Sequence, residues 1–156
     1  MDGVTKRLAE FAAGIGFEDL PAAVVARTRL LVLDSAGIMV RARHESESTP
    51  SLISAAERLG FGGGDCTVIG DSRRYTPSAA ALINGTLAHS LDFDDTHAEA
   101  SLHSSAPIVP AAMAAAEMAG ASGRDFIAAV VAGYEVQIRL SLALDPAAHY
   151  DRGFHP

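Results

Sequence analysis

The chain has no tryptophan, one cysteine and one lysine, and each scarcity removes a class of protein. Cys66 alone makes no internal disulfide, so the fold must rest on packing rather than on covalent staples. Apolar runs are broken by charge well short of the ~20 residues that cross a bilayer; even the alanine-rich segment 111–119 contains Glu117. The opening MDGVTKRLAEF has neither a basic leader nor an apolar signal core, and the expected location is cytoplasmic. With Lys6 as the single lysine and a net charge of -7, neither nucleic acid nor an anionic membrane surface is an expected partner. Aromatics are few while alanine and leucine are abundant, which favours helices over a sandwich or barrel. At 156 residues the chain can bury one ordinary core, so residues 1–156 are expected to form one domain or part of one.

What is present is a succession of helix signals. Val4, Leu8, Phe11, Ala12 and Ile15 recur at helical intervals and give a first helix ending near Gly14 and Gly16. Pro21 suits the first turn of a second, mostly buried helix running to about Val40, with Glu18 and Asp19 at its positive end. Within it, Asp34 reads as a satisfied core carboxylate or a packing contact. A charged connection over 41–48 precedes Thr49-Pro50, a cap followed by proline, and this third helix ends by Leu59-Gly60. Gly60, Gly62, Gly63 and Gly64 lack the Lys-Ser/Thr of a phosphate loop and the spacing of a dinucleotide fingerprint, and read as a flexible loop. A brief extended piece is expected over 66–69, with Gly70, Asp71 and Ser72 turning out of it. Thr76-Pro77 opens another helix over 77–91, and residues 107–118 form an alanine-rich one closed by Gly120. Ser122 and Asp125 form a variant capping box for a helix that is apolar nearly all round to Tyr134 and should be central. Glu135 and Arg139 can pair along it, and Asp145-Pro146 ends it. The sum is an all-α, multihelical unit of about seven helices.

The stretch 84–110, NGTLAHSLDFDDTHAEASLHSSAPIVP, crowds Asp92, Asp94, Asp95, His97, Glu99 and His103 between apolar helical segments. Ile83, Leu87 and Leu91 define one helical face; Asn84, Ala88, Asp92 and Asp95 lie on a neighbouring line, with His89 beside them. Aspartate at a helix C-terminus opposes the macrodipole, and a disfavoured placement of this kind hints at function. The sequon at Asn84-Gly85-Thr86 reads as a chance match without a secretory signal.

In this order, NGTLAHSLDFDDTH, LHSSAP, GYEVQIRL and RGFHP resemble the MmgE/PrpD family, whose members include 2-methylcitrate dehydratase, cis-aconitate decarboxylase and an iminodisuccinate epimerase. The likeness runs from about Pro21 to the last residue, and implies the N-terminal part of the family's helical domain. It also implies a metal-independent lyase with no cofactor, acting on a small polycarboxylate such as 2-methylcitrate, and homo-oligomeric at full length. Carried over position by position, the catalytic residues implied are Asp92, His103 and His155: His103 as acid/base, Asp92 as its orienting or proton-relaying partner, His155 as a second donor. Ser104 and Ser105 are implied substrate-carboxylate donors at a helix start, where free N–H groups favour anions. The sequence has HSS where the family often has HPS.

Elimination next to a carboxylate needs a base for the proton and an acid for the leaving hydroxyl, and histidine serves either role near neutral pH. Blander roles compete: His103 as a helix cap, Asp94 and Asp95 as loop scaffold, His89 as a packing residue. A different class of reading has Asp92, Asp95, His97 and His103 holding a divalent ion, although their spacing fits no known signature. A third makes the chain a noncatalytic helical module. Decarboxylation and epimerisation remain open beside dehydration. The cations that polarise substrate carboxylates lie after His155 in the family pattern, so the chain alone is expected to be an incomplete, inactive fragment that associates or precipitates.

Overall fold

The computed structural model describes residues 3–144 and 146–154. Among these the six helices read from the sequence form, α1 (Val4–Gly14), α2 (Ala22–Glu45), α3 (Thr49–Arg58), α4 (Pro77–His89), α5 (Ser105–Ala119) and α6 (Gly123–Leu142), joined by a 3-10 turn (Phe17–Asp19) and a short α7 (Pro146–Asp151) that were not read from it. The unit is mostly α, with one small antiparallel pair, β1 (Gly62–Thr67) and β2 (Arg74–Tyr75). Asp145, read as part of a helix stop, lies outside the described residues, as do His155 and Pro156.

Caps explain the helix boundaries. Pro77 sits in the first turn of α4, where its missing N–H costs nothing. The backbone N–H of Asp125 donates to Ser122 Oγ at 3.2 Å while the Asp125 carboxylate accepts from the Ser122 N–H. Gly120 takes φ 61° after α5, the left-handed conformation that closes a helix without a Cβ penalty.

Packing is built on the long contact between α4 and α5, with α2, α6 and β1 laid against that pair. Alanines at 79, 80, 88, 106, 112 and 114 are buried in the core, and their size lets helices approach closely. Between them Met39, Ile83, Leu87, Val109 and Val130 are shut off from solvent and supply the larger apolar volume. Gly133 permits α6 to meet α5, since a Cβ there would come within 2.6 Å of Ile108 Cγ2.

Three expectations are corrected. First, α2 runs to Glu45 rather than Val40, and the connection shrinks to residues 46–48. An Arg41–Glu45 pair at 2.8 Å spans the added turn, and Thr49 Oγ1 donates to the Ala42 carbonyl at 2.8 Å to tie α3 to it. Second, α2 is buried on one face only. Val25, Thr28, Ser35, Ile38, Met39 and Ala42 face the core, while Leu30 and Leu33 are 59% and 69% exposed. Asp34 is exposed on that outer side and is no core carboxylate. Third, the glycine run is not a flexible loop, and the strand covers residues 62–67 rather than 66–69. The backbones meet so closely that a Cβ on Gly64 would overlap the Tyr75 carbonyl, a contact only glycine allows.

The turn after β1 is held by side chains. Asn84 on α4 donates through Nδ2 to the Thr67 carbonyl at 2.9 Å and accepts the Ile69 N–H at Oδ1, 2.8 Å. This member of the polar line is therefore a clamp on the β1 turn. The Asp71 side chain, only 4% exposed, accepts from Arg73 Nη2 at 2.7 Å, Arg43 Nη2 at 3.3 Å and the Tyr75 hydroxyl at 3.1 Å. Hydrogen bonds from Arg73, then from Tyr75, hold its carboxyl well below the usual carboxylate range against the opposing effect of burial.

Candidate active site

Helix α4 delivers His89 as its last residue, and α5 begins at Ser105; the irregular segment 90–104 between them carries the remaining ionisable groups. Asp92 turns the chain out of α4 at φ 55°, its N–H donating to the His89 carbonyl at 3.0 Å. Aspartate is among the few residues that adopt this conformation readily. Further on, His97 and Leu102 exchange backbone hydrogen bonds, closing a small loop whose other positive-φ residue is Ser101, φ 52°.

Folding the segment back in this way sets His103 beside His89, with ring centroids 5.0 Å apart in an edge-to-face arrangement. Between them lies Asp94, its side chain 1% exposed. One carboxylate oxygen is 3.1 Å from His89 Nδ1 and the other 3.4 Å from His103 Nδ1. Asp92 completes the group: one ligand-type atom from each of His89, Asp92, Asp94 and His103 lies within 4.8 Å of the others.

The structure thus gathers Asp92 and His103 in one cluster, but the carboxylate in contact with the imidazoles belongs to Asp94. His155 lies outside the described residues. Ser104 and Ser105 are buried and do not line the cleft. Ser105 Oγ instead pairs with the Tyr134 hydroxyl on α6, and its N–H donates to Asp95 Oδ1 at 2.8 Å. Tyr134 also donates to Asp95 Oδ2 at 3.0 Å, so Asp95 is the loop scaffold expected of it. Burial raises the Tyr134 phenol well above its ordinary value, keeping it a neutral donor. His97 Nδ1 accepts the Ala100 N–H at 3.1 Å, which draws it into loop structure instead of the divalent-ion set read from the sequence.

His89 and Asp94 are the residues whose position the sequence did not reveal. A signal existed in the last-turn histidine of α4, followed five residues later by an aspartate that a left-handed turn at Asp92 could bring back. Both imidazoles open onto a cleft of about 760 Å³ whose wall includes Ser48, Thr86, Ser90, Pro107 and Gln137. Its polar wall is uncharged apart from the imidazoles; no arginine or lysine lines it among the described residues. The positive pole of α5 is at its edge, since Ala106 and Pro107 contribute to the lining. No described helix is long and apolar enough to cross a membrane.

Two histidines and two aspartates gathered where α4 gives way to α5 in a mostly helical unit define the candidate site, and comparison with known proteins supplies the family. Residues 6–156 match the MmgE/PrpD N-terminal domain, and the chain belongs to the MmgE/PrpD family. It is 35% identical to the cis-aconitate decarboxylase-like protein oryM of Aspergillus oryzae over 97% of its length, and 32% identical to the cis-aconitate decarboxylase of Aspergillus terreus over 98%. The cis-aconitate decarboxylase of Mus musculus is 29% identical over the whole chain. The chain spans about a third of the length of these relatives, 33%, 32% and 32% respectively.

Proposed function

We propose that this chain is the helical, acid/base-bearing portion of a lyase acting on a small polycarboxylate, with cis-aconitate decarboxylation as its first candidate reaction. The observation that carries the reading is the pair of imidazoles sharing one buried carboxylate at the mouth of a cleft. The relatives' names supply the choice of acid.

Decarboxylation breaks a carbon–carbon bond, releases CO2 and leaves an electron pair that must take up one proton. An imidazolium delivers that proton at neutral pH and is recharged from solvent. His103, partly shielded and backed by the Asp94 carboxylate, is placed for this role; Asp92 and the more exposed His89 complete the relay, with His155 as the second donor the resemblance implies. The reaction so described uses no metal. Negative charge on the substrate requires cations to stabilise the transition state, and stabilisation of this kind often contributes more to catalysis than any other effect. Because the described cleft wall supplies none, those cations come from another part of the working enzyme, which on this reading is a homo-oligomer in the cytoplasm.

Dehydration of 2-methylcitrate is the second reading. It needs one group to take a proton and another to give one, and His89 and His103 at 5.0 Å form such a pair.

Grafting residues 6–156 in place of the matching segment of the Aspergillus terreus enzyme tests the reading. The folded chimera should release CO2 from cis-aconitate, and His103→Gln should lower kcat by at least ~100-fold, the usual reach of general acid catalysis. Equal activity with and without the substitution would remove His103 from the chemistry. Turnover of 2-methylcitrate in preference to cis-aconitate would select the second reading.

A further inference from the structure

We propose that His89, Asp94 and His103, with Asp92 as a fourth donor, form a binding site for a divalent ion of the zinc type.

Two observations carry this independently of any reaction. The first is the donor set. Two imidazole nitrogens and carboxylate oxygens are ordinary ligands for zinc-type ions, whereas magnesium and calcium prefer all-oxygen shells. With metal–ligand bonds of about 2.0–2.1 Å, tetrahedral neighbours stand roughly 3.3 Å apart. The His89 Nδ1 to Asp94 and His103 Nδ1 to Asp94 separations, 3.1 and 3.4 Å, bracket that spacing. Asp92 is exposed, and a rotamer change can bring its carboxylate closer than the 4.8 Å span of the cluster.

The second observation is the state of one atom. His103 Nδ1 is sealed from solvent and makes no well-formed hydrogen bond among the described residues, although it lies inside a ring of polar groups. Asp94 Oδ2 lies 3.4 Å from it, longer than the usual N–H···O bond, and coordination of an ion is one way to satisfy a buried nitrogen left in that position. Within the cluster the lone pair of Nδ1 is the one a metal would take.

The test is binding, not turnover. The full chain, purified without added histidines and stripped with chelator, is titrated with cobalt(II) by absorption spectroscopy and with zinc chloride by calorimetry. One equivalent should bind, with cobalt giving visible bands of a low-coordinate nitrogen/oxygen site, and magnesium giving no heat. His89→Gln, at an exposed position that should not disturb folding, should weaken binding more than about 100-fold, since even an outer partner of a ligand often contributes 10–100-fold. Asp92→Asn should weaken it less. Absence of a one-equivalent site, or unchanged affinity in the folded His89→Gln/Asp92→Asn double variant, would overturn the proposal. Neither result bears on the chimera's activity, so this site and the lyase reading fail separately.

Discussion

Two buried aspartates, Asp71 and Asp94, sit at opposite ends of α4 and are surrounded very differently. Around Asp71 are two arginines and a tyrosine hydroxyl, permanent donors whose charge or dipole does not change near neutral pH. Around Asp94, among the described residues, are two imidazoles and no permanent cation. The first arrangement fixes a turn; the second sets two imidazoles on one carboxylate at the edge of a cleft. Burial alone therefore does not distinguish the two carboxylates; the kind of group that contacts each one does.

The largest effect expected concerns activity. On the proposed reading the Asp94 end supplies the proton-transfer groups, and no arginine or lysine lines its cleft among the described residues, so the chain alone should turn over none of cis-aconitate, 2-methylcitrate and iminodisuccinate. With Leu30, Leu33 and Leu140 each at least half exposed, it should also run above monomer mass in light scattering. A monomer with enzyme-like rates on any of the three acids would break the comparison at its functional end.

At the structural end, Asp71→Asn should lower unfolding free energy by about 3 kcal/mol, the scale of breaking a buried ion pair, with the partial exposure of Arg43 and Arg73 keeping it at the low end of that range. The sign with pH is fixed by the direction of the shift. The Asp71 carboxyl titrates lower folded than unfolded, so its contribution is fully present above the unfolded value near ~3.9 and is lost as pH falls through the folded value. Denaturant unfolding across pH 7 to 2 should show wild type losing more stability below about pH 4 than Asp71→Asn does. Parallel curves would mean that the Arg73 and Tyr75 contacts do not discriminate the charged form.

Next in size is the staple that joins α6 to the start of α5 and to the loop of the site. Tyr134→Phe leaves Asp95 Oδ2 and Ser105 Oγ without their common partner and should cost roughly 1–2 kcal/mol by thermal or chemical unfolding. It should also loosen the 90–104 segment, seen as faster amide exchange at Ser105, whose N–H is held by Asp95.

How much of the molecule is legible in its sequence follows from where periodicity exists. The helices are legible because proline at the first turn, Ser122 with Asp125, and Gly120 are local signals that name their own boundaries. The strand is not, because a run of glycines reads as flexibility unless one knows that the Tyr75 backbone lies against it. The one-sidedness of α2 is equally hidden, since its apolar residues occur all around the helix while its neighbours cover only one face. Within the site, the crowding of acidic groups and histidines in 84–110 points to the right stretch. Which carboxylate meets the imidazoles depends on left-handed turns at Asp92 and Ser101 and on a tyrosine 39 residues from Asp95, and no spacing rule encodes those.

The smallest expected effect is the sharpest probe of the contrast. His89 and Arg73 both pair with a buried aspartate from a partly exposed position, the His89 side chain being 54% exposed and that of Arg73 43%. If burial of the carboxylate were what mattered, truncating either partner would destabilise alike. Arg73 brings a permanent charge and several hydrogen bonds to Asp71, so its loss leaves a charge poorly compensated in a site built to keep it. His89 brings a single imidazole nitrogen, and glutamine in its place still offers a neutral N–H to Asp94. His89→Gln should therefore change unfolding free energy by less than about 0.5 kcal/mol at pH 7, within the range of ordinary surface substitutions. A loss as large as that of Asp71→Asn, measured in the same denaturant series, would show that Asp94 is held as a structural anion. The contrast drawn with Asp71 would then have no physical basis.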